Sequence, residues 1–227
     1  MNQESEPLTI DVVSDVVCPW CYLGEKRLEA ALADAPQPVA VRWRPYQLDP
    51  TIPAGGLDRA DYMAKKFGKS GRLQSVHGNL TRLGAEVGVP FAFDKIKRAP
   101  NTLDAHRLVR WASSAGVQAR VVDRLFQAYF VEGRDIGDRG VLTEIAGHCG
   151  LETDLVEKLL AEGADVDLVR EEIAQAQAMG VSGVPFFIFA GRIGVAGAQE
   201  PSVLRQAMTQ ARQAMAESPS EATVANV

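Results

Sequence analysis

The sequence predicts an α/β fold: a small sheet interrupted by a large all-helical insertion. Three observations carry that reading. Apolar segments of period two occur only before Leu48 and after Pro185. Helical spacing fills the roughly 110 residues between them. Two cysteines separated by two residues, Cys18 and Cys21, stand where the first strand gives way to the first helix.

Leu8 to Ser14 is an apolar run that reads as a buried strand. Cys18 to Ala35 follows as a helix, with Cys21, Leu28, Ala31 and Leu32 along one face and Pro36 beyond its end. Val39 to Tyr46 alternates and is β-rich, so the three elements form a βαβ unit with a parallel pair and a right-handed crossover. The prolines between Leu48 and Pro53 lead away from the sheet. Helices are predicted over Asp58 to Phe67, Gly71 to Val87, Asn101 to Ser114, Val117 to Glu132, Asp138 to His148 and Thr153 to Ala161. Asn101 and Asp104 are spaced as an N-cap and its N3 partner. A helix from Asp165 to Met179, closed by Gly180, returns the chain to the sheet. Phe186 to Ala190 and Arg192 to Val195 then read as a hairpin about Gly191, and a last helix runs from Gln199 or Ser202 to about Ala214. The expected organisation is a first half-domain over 1–53, a helical insertion over 54–164, a second half-domain over 165–215 and a small, polar, disordered tail over 216–227.

The chemistry centres on Cys18-Pro19-Trp20-Cys21. Pro19 suits the first helical position, where its missing N–H costs nothing. Cys18 then takes the N-cap place, its sulfur within reach of the free N–H groups of Trp20 and Cys21, where the helix dipole favours a thiolate. Cys21, one turn on, faces inward as a resolving thiol. Half a zinc site and a pair of inert core cysteines are the competing readings. A tetrahedral zinc needs about four ligands, and beyond the motif the chain offers Cys149 and three scattered histidines. The expectation is therefore no metal. A second feature supports the redox reading. In Gly183-Val184-Pro185-Phe186-Phe187-Ile188-Phe189 a proline opens a strongly apolar strand, an awkward place for a trans proline, so Val184–Pro185 is expected to be cis.

Strand, C-x-x-C helix, and much later a Val-Pro strand with a hairpin resemble the thioredoxin-fold thiol oxidoreductases of the DsbA-like family. Asp15 to Tyr22, Asn101 to Arg107 and Gly197 to Gln199 resemble its cytosolic FrnE-like branch, and the likeness runs from about Leu8 to Ala214. The resemblance implies a thioredoxin-like fold with a large all-helical insertion. It also implies that Val184 and Pro185 hold substrate backbone beside the dithiol, and that Asn101 and His106 line the cleft.

Other residues have two readings each. Trp20 brings no positive charge to the thiolate and either caps the apolar surround or contacts partners. Asp15 either relays protons to the resolving thiol or bonds local backbone. His106 is a satisfied, partly buried helix residue or, by the resemblance, a cleft residue. Cys149 is a small core residue or a regulatory thiol. At Gly197-Ala198-Gln199, free N–H groups before the last helix would suit a carboxylate such as that of glutathione, or the residues are ordinary for a helix start. Met63, Phe67, Leu80 and Leu83 lie at helical spacing, as core or as part of a groove.

Composition narrows the function. With 24 basic against 29 acidic residues the net charge is −5, which argues against nucleic acid or an anionic membrane as partner. The N-terminal segment is acidic and lacks an apolar run, so a cytoplasmic location is expected. The leading expectation is a thiol–disulfide oxidoreductase of oxidase or isomerase type acting on protein or small-molecule thiols and disulfides. No tightly bound cofactor is expected, and glutathione is the candidate redox partner or co-substrate. Glutathione-dependent isomerases and transferases, the 2-hydroxychromene-2-carboxylate isomerases and kappa-class enzymes, share the resembled layout but characteristically carry serine where Cys18 sits. A chaperone-like peptide binder is the third reading, and monomer or homodimer is left open.

Overall fold

A computed structural model describes residues 7–33, 35–68 and 71–217. The first half comprises β1 (Leu8–Ser14), α1 (Pro19–Ala33) and β2 (Val39–Pro45). The insertion holds β3 (Leu57–Asp58), α2 (Arg59–Phe67), α3 (Arg72–Glu86), β4 (Arg98–Ala99), α4 (Leu103–Ser114), α5 (Gln118–Phe130), α6 (Arg139–His148) and α7 (Thr153–Glu162). The chain closes with α8 (Val166–Ala178), β5 (Phe186–Phe189), β6 (Ile193–Ala196) and α9 (Pro201–Glu217).

The main sheet has the order β2-β1-β5-β6. Strand β1 pairs in parallel with β2, from Leu8 opposite Val39 to Ser14 opposite Pro45. On its other side it pairs antiparallel with β5, from Ile10 opposite Phe189 to Val13 opposite Phe186. Covered on both edges and both faces, β1 needs an almost unbroken apolar sequence, which is the run that marks it. Its one charged residue, Asp11, meets Arg42 at 3.0 Å and Arg44 at 2.9 Å on β2. The β5–β6 hairpin turns through Ala190 and Gly191, both at positive φ (51° and 66°), and the Arg192 N–H closes the turn on the Phe189 carbonyl at 2.9 Å.

One apolar core runs from the sheet into the insertion. It joins Ile10, Phe187 and Phe189 to Leu108, Leu125 and Phe126 by way of α1. Tyr22 on α1 is the hinge of that packing. Its ring stacks on Phe126 (centroids 5.0 Å apart) and meets Phe91 edge-on at 5.8 Å. The insertion therefore shares its core with the helix that carries the dithiol.

The structure departs from the sequence reading in several places, among them α4, which begins at Leu103 rather than Asn101, and α5, which ends at Phe130 rather than Glu132. Strands β3 and β4 pair antiparallel within a stretch expected to be purely helical; at two residues each they are too short to show a period. The Asn101–Asp104 capping box does not form, because the Asp104 carboxylate pairs with Arg107 (2.6 Å) and Arg139 (3.1 Å) while Asn101 Oδ1 accepts from the Leu103 N–H at 2.9 Å. Helix α1 spans Pro19–Ala33, and Ala35, its expected last residue, lies outside it. Helix α9 continues to Glu217, so residues 216 and 217 are helical rather than tail. The rest of that tail and the acidic N-terminal segment lie outside the described residues. Among the described residues no helix is long and apolar enough to cross a membrane.

Candidate active site

The turn from β1 into α1 places both motif thiols. The Cys18 N–H donates to the Asp15 carbonyl at 2.9 Å, and the Cys18 carbonyl accepts from the Cys21 and Tyr22 amides at 3.0 and 3.3 Å, which opens the helix. The Cys21 amide is thus engaged by the Cys18 carbonyl, and the Cys18 thiol turns instead to the Val184 carbonyl, 3.6 Å away. That carbonyl belongs to the Val184–Pro185 bond, which is cis. Two residues 166 positions apart in the chain are brought together here. All three cysteines are free thiols.

Cys18 is 4 % exposed and Cys21 1 %, while Trp20 between them reaches 36 % and stands at the rim. Burial pushes the Cys21 thiol well above its ordinary value, and the neighbouring Cys18 thiol adds to the rise through a hydrogen bond and charge repulsion. The Ser14 hydroxyl and the Asp15 backbone N–H pull the other way without overcoming burial. Burial likewise raises Cys149, which sits in the core at the end of α6.

Gly24 was not singled out by sequence reasoning, yet it fixes how closely the two halves of the site approach. A Cβ there would lie 2.9 Å from Pro185 Cγ and 3.3 Å from Phe187 Cζ. A glycine inside an otherwise good helix was the available signal. The Gly197 N–H, from the other side, donates to the Pro185 carbonyl at 2.8 Å and secures the turn.

That last bond bears on the two readings of Gly197-Ala198-Gln199, a carboxylate cradle or an ordinary helix start. The Gly197 amide is used by Pro185, and the Gln199 amide donates to the Gly197 carbonyl at 2.9 Å. The Gln199 side chain folds back onto the Ala196 carbonyl. Asn101 is equally committed. Its Nδ2 donates to the Ile52 carbonyl at 2.6 Å and its Oδ1 also accepts from Gln47 at 3.2 Å, so it pegs the insertion to the loop after β2. The Asp15 carboxylate is buried and accepts from the Leu48 N–H at 2.8 Å. His106 is buried nearby, with Nε2 3.4 Å from Asp15 Oδ1.

A small cleft of ≈ 50 Å³ opens beside the dithiol loop, lined by Asp15, Val17, Leu48, Tyr62, Met63 and Tyr129 among others. Leu48, Asp49, Tyr62 and Lys66 are shared with a wider groove of ≈ 620 Å³ along α2, where Leu57 is exposed. Of the helical apolar residues noted in sequence, Met63 lines the cleft and Leu80 is core. Among the described residues no three His, Cys, Asp or Glu side chains are gathered as a metal site. The arrangement sets one thiol at a helix start, a second thiol one turn further along the helix, and a backbone carbonyl beside the first.

The model of the DSBA-like thioredoxin domain matches residues 9–209. A probable DsbA oxidoreductase from Streptomyces coelicolor is 31% identical, with a TM-score of 0.84 over 97% of this chain and 93% of that one. The uncharacterized protein YwbO of Bacillus subtilis is 27% identical over 201 residues, which is 88% of this chain and 95% of YwbO. A 2-hydroxychromene-2-carboxylate isomerase shares the fold at 20% identity, with a TM-score of 0.69 over 92% of this chain and 98% of its own.

Proposed function

The chain belongs to the DSBA-like thioredoxin domain family, and from that premise we propose that it is a thiol–disulfide oxidoreductase of oxidase or isomerase type. Cys18 is the attacking thiol and Cys21 resolves the mixed disulfide. The observation that carries this reading is the Cys18 thiol at the start of α1, 3.6 Å from the Val184 carbonyl, with the Cys21 thiol held neutral beneath it. Val184 and Pro185 align the partner's backbone, Pro19 starts the helix, and exposed Trp20 gives the partner an apolar contact. Exposed Leu48 and Leu57 along the α2 groove suit a protein chain as partner. Glutathione enters as a redox partner rather than a tightly bound cofactor. The glutathione-dependent isomerase or transferase of the 2-hydroxychromene-2-carboxylate isomerase type is the disfavoured alternative, because the site keeps both thiols.

Native-state alkylation followed by a redox titration against glutathione buffers, read by Trp20 fluorescence, tests the proposal. Cys18 should be alkylated first at neutral pH, and Cys18→Ser should abolish oxidative refolding and insulin reduction. Cys21→Ser should accumulate mixed disulfides. Faster alkylation of Cys21 would reverse the roles, and full activity in the double variant would favour a chaperone-like binder.

A further inference from the structure

One face of β1 carries Leu8, Ile10, Val12 and Ser14 at alternate positions. The first three join Cys21, Leu28 and Ala31 of α1 in one apolar core, while Val13 packs in a separate cluster across the sheet. The fourth, a buried serine, ends that apolar row with a hydroxyl. Burying a hydroxyl is costly unless it is bonded, yet Ser14 Oγ makes no hydrogen bond of proper geometry among the described residues. A buried polar atom without a partner is uncommon and needs a reason. The backbone of Ser14 is fixed, since it stands opposite Pro45 at the end of the parallel ladder and its carbonyl accepts from the Tyr46 N–H at 3.0 Å. What its hydroxyl lies against is the Cys21 sulfur.

In the resting dithiol Cys21 is neutral, because burial and the neighbouring Cys18 thiol both disfavour its thiolate. A neutral thiol is a weak acceptor, so a hydroxyl beside it gains little. The mixed disulfide changes both groups. Cys18 is then no longer a thiol and its share of the effect disappears, while Cys21 must become a thiolate to attack. What opposes burial at that moment is the Ser14 hydroxyl together with the Asp15 backbone N–H. The Cys21 amide is already held by the Cys18 carbonyl at 3.0 Å. A hydroxyl rotates to suit its surroundings, so Ser14 can turn its hydrogen to the sulfur as the charge appears.

We propose that Ser14 is the hydrogen-bond donor that stabilises the Cys21 thiolate as the Cys18–Cys21 disulfide closes and opens, a role that rests on the redox reading above. In closure, water takes the Cys21 proton and the thiolate attacks the Cys18 sulfur. The Cys18–Cys21 bond forms and the bond from Cys18 to the partner breaks. Its electron pair leaves on the partner's sulfur, which takes a proton from solvent. In opening, a partner thiolate attacks the Cys18 sulfur, and Cys21 leaves with the electron pair of the broken disulfide. Ser14 keeps its own proton throughout. Its bond is strong while Cys21 carries charge and weak while it does not, so it lowers the barrier rather than steadying the resting dithiol.

Stopped-flow oxidation by 5,5′-dithiobis(2-nitrobenzoate) in a Cys149→Ala background separates the steps. The first nitrothiobenzoate released reports attack by Cys18, and the second reports displacement by Cys21. Ser14→Thr and Ser14→Val place side chains of one shape that differ in the hydroxyl, so their ratio isolates the donor. The first phase should be alike in the two. The second should be roughly four- to fifteenfold slower in Ser14→Val at pH 7, because a lost bond to a charged group lowers the thiolate population while the more basic thiolate is the better nucleophile. Reduction of the oxidised protein by excess glutathione, read by Trp20 fluorescence, should also be slower in Ser14→Val, since Cys21 is then the leaving thiolate. If either variant fails to fold, Ser14→Ala against the parent makes the same comparison. A second-phase difference smaller than about fourfold overturns the proposal and leaves the redox reading standing. A first phase slowed as much as the second, or a deficit confined to one direction, overturns it equally. Absence of the first phase in the parent protein removes the redox reading and the role of Ser14 with it.

Discussion

Replacing Gly24 by alanine should destabilise the protein, although alanine is the better helix residue. On an exposed helix the exchange gains about 1 kcal/mol. Gly78 on α3 provides that reference, because it is exposed and a Cβ there meets nothing within 4 Å. At Gly24 the added carbon would stand 2.9 Å from Pro185 Cγ and 3.3 Å from Phe187 Cζ, both parts of rigid rings. Carbon atoms prefer separations of about 3.5–4.0 Å, so α1 must move off the Val184–Pro185 turn. Forcing a methyl group into a packed site costs about 1–3 kcal/mol. The propensity gain is common to both variants, so their difference isolates the packing cost. For a chain of this size each kcal/mol shifts the melting temperature by about 2–4 °C, giving a gap of roughly 2 to 12 °C between Gly24→Ala and Gly78→Ala. Thermal melts of the two variants measured in parallel decide it. A Gly24→Ala protein as stable as Gly78→Ala would refute the close approach of α1 to Pro185.

Two further outcomes follow from buried charge. Burial raises the Glu25 carboxyl well above its ordinary range, and its Oε2 has no hydrogen-bond partner. Since the folded state holds the proton more tightly than the unfolded chain, this group's stabilisation is complete below the unfolded value near pH ~4.3 and declines as pH rises toward the folded value. Glu25→Gln should therefore gain on the parent between pH 4 and 7 by about 1.4 kcal/mol for each tenfold of excess proton affinity, and a melting-temperature difference that stays flat with pH would refute it. Arg107, fully buried on α4, donates to Asp104 and to the carbonyls of Leu159, Leu160 and Ala164 at the end of α7. Arg107→Met should cost about 3 kcal/mol or more in urea unfolding, because it strands these acceptors; a loss under 1 kcal/mol would show the clamp to be dispensable.

The sequence by itself determined what depends on near neighbours along the chain. The unbroken apolar run of β1, Pro19 at the helix start, the Cys18–Cys21 spacing, the proline opening β5 and the helical period of the insertion all express local geometry, and local geometry repeats at a fixed interval. Tertiary structure decided which groups compete for one partner. The Gly197 amide looked open to a ligand because the Pro185 carbonyl that takes it belongs to another segment. Asp104 was placed to cap its helix until Arg107 and Arg139 claimed it. Asp15 and His106, 91 positions apart in the chain, lie 3.4 Å apart, and in isolation each kept two readings, local structure or a part in the site. Hydrogen bonds and ion pairs saturate, so the winner among several local candidates is fixed only when chain closure sets the distances. Gly24 makes the same point for packing, since the reason no side chain fits there is a proline 161 residues away.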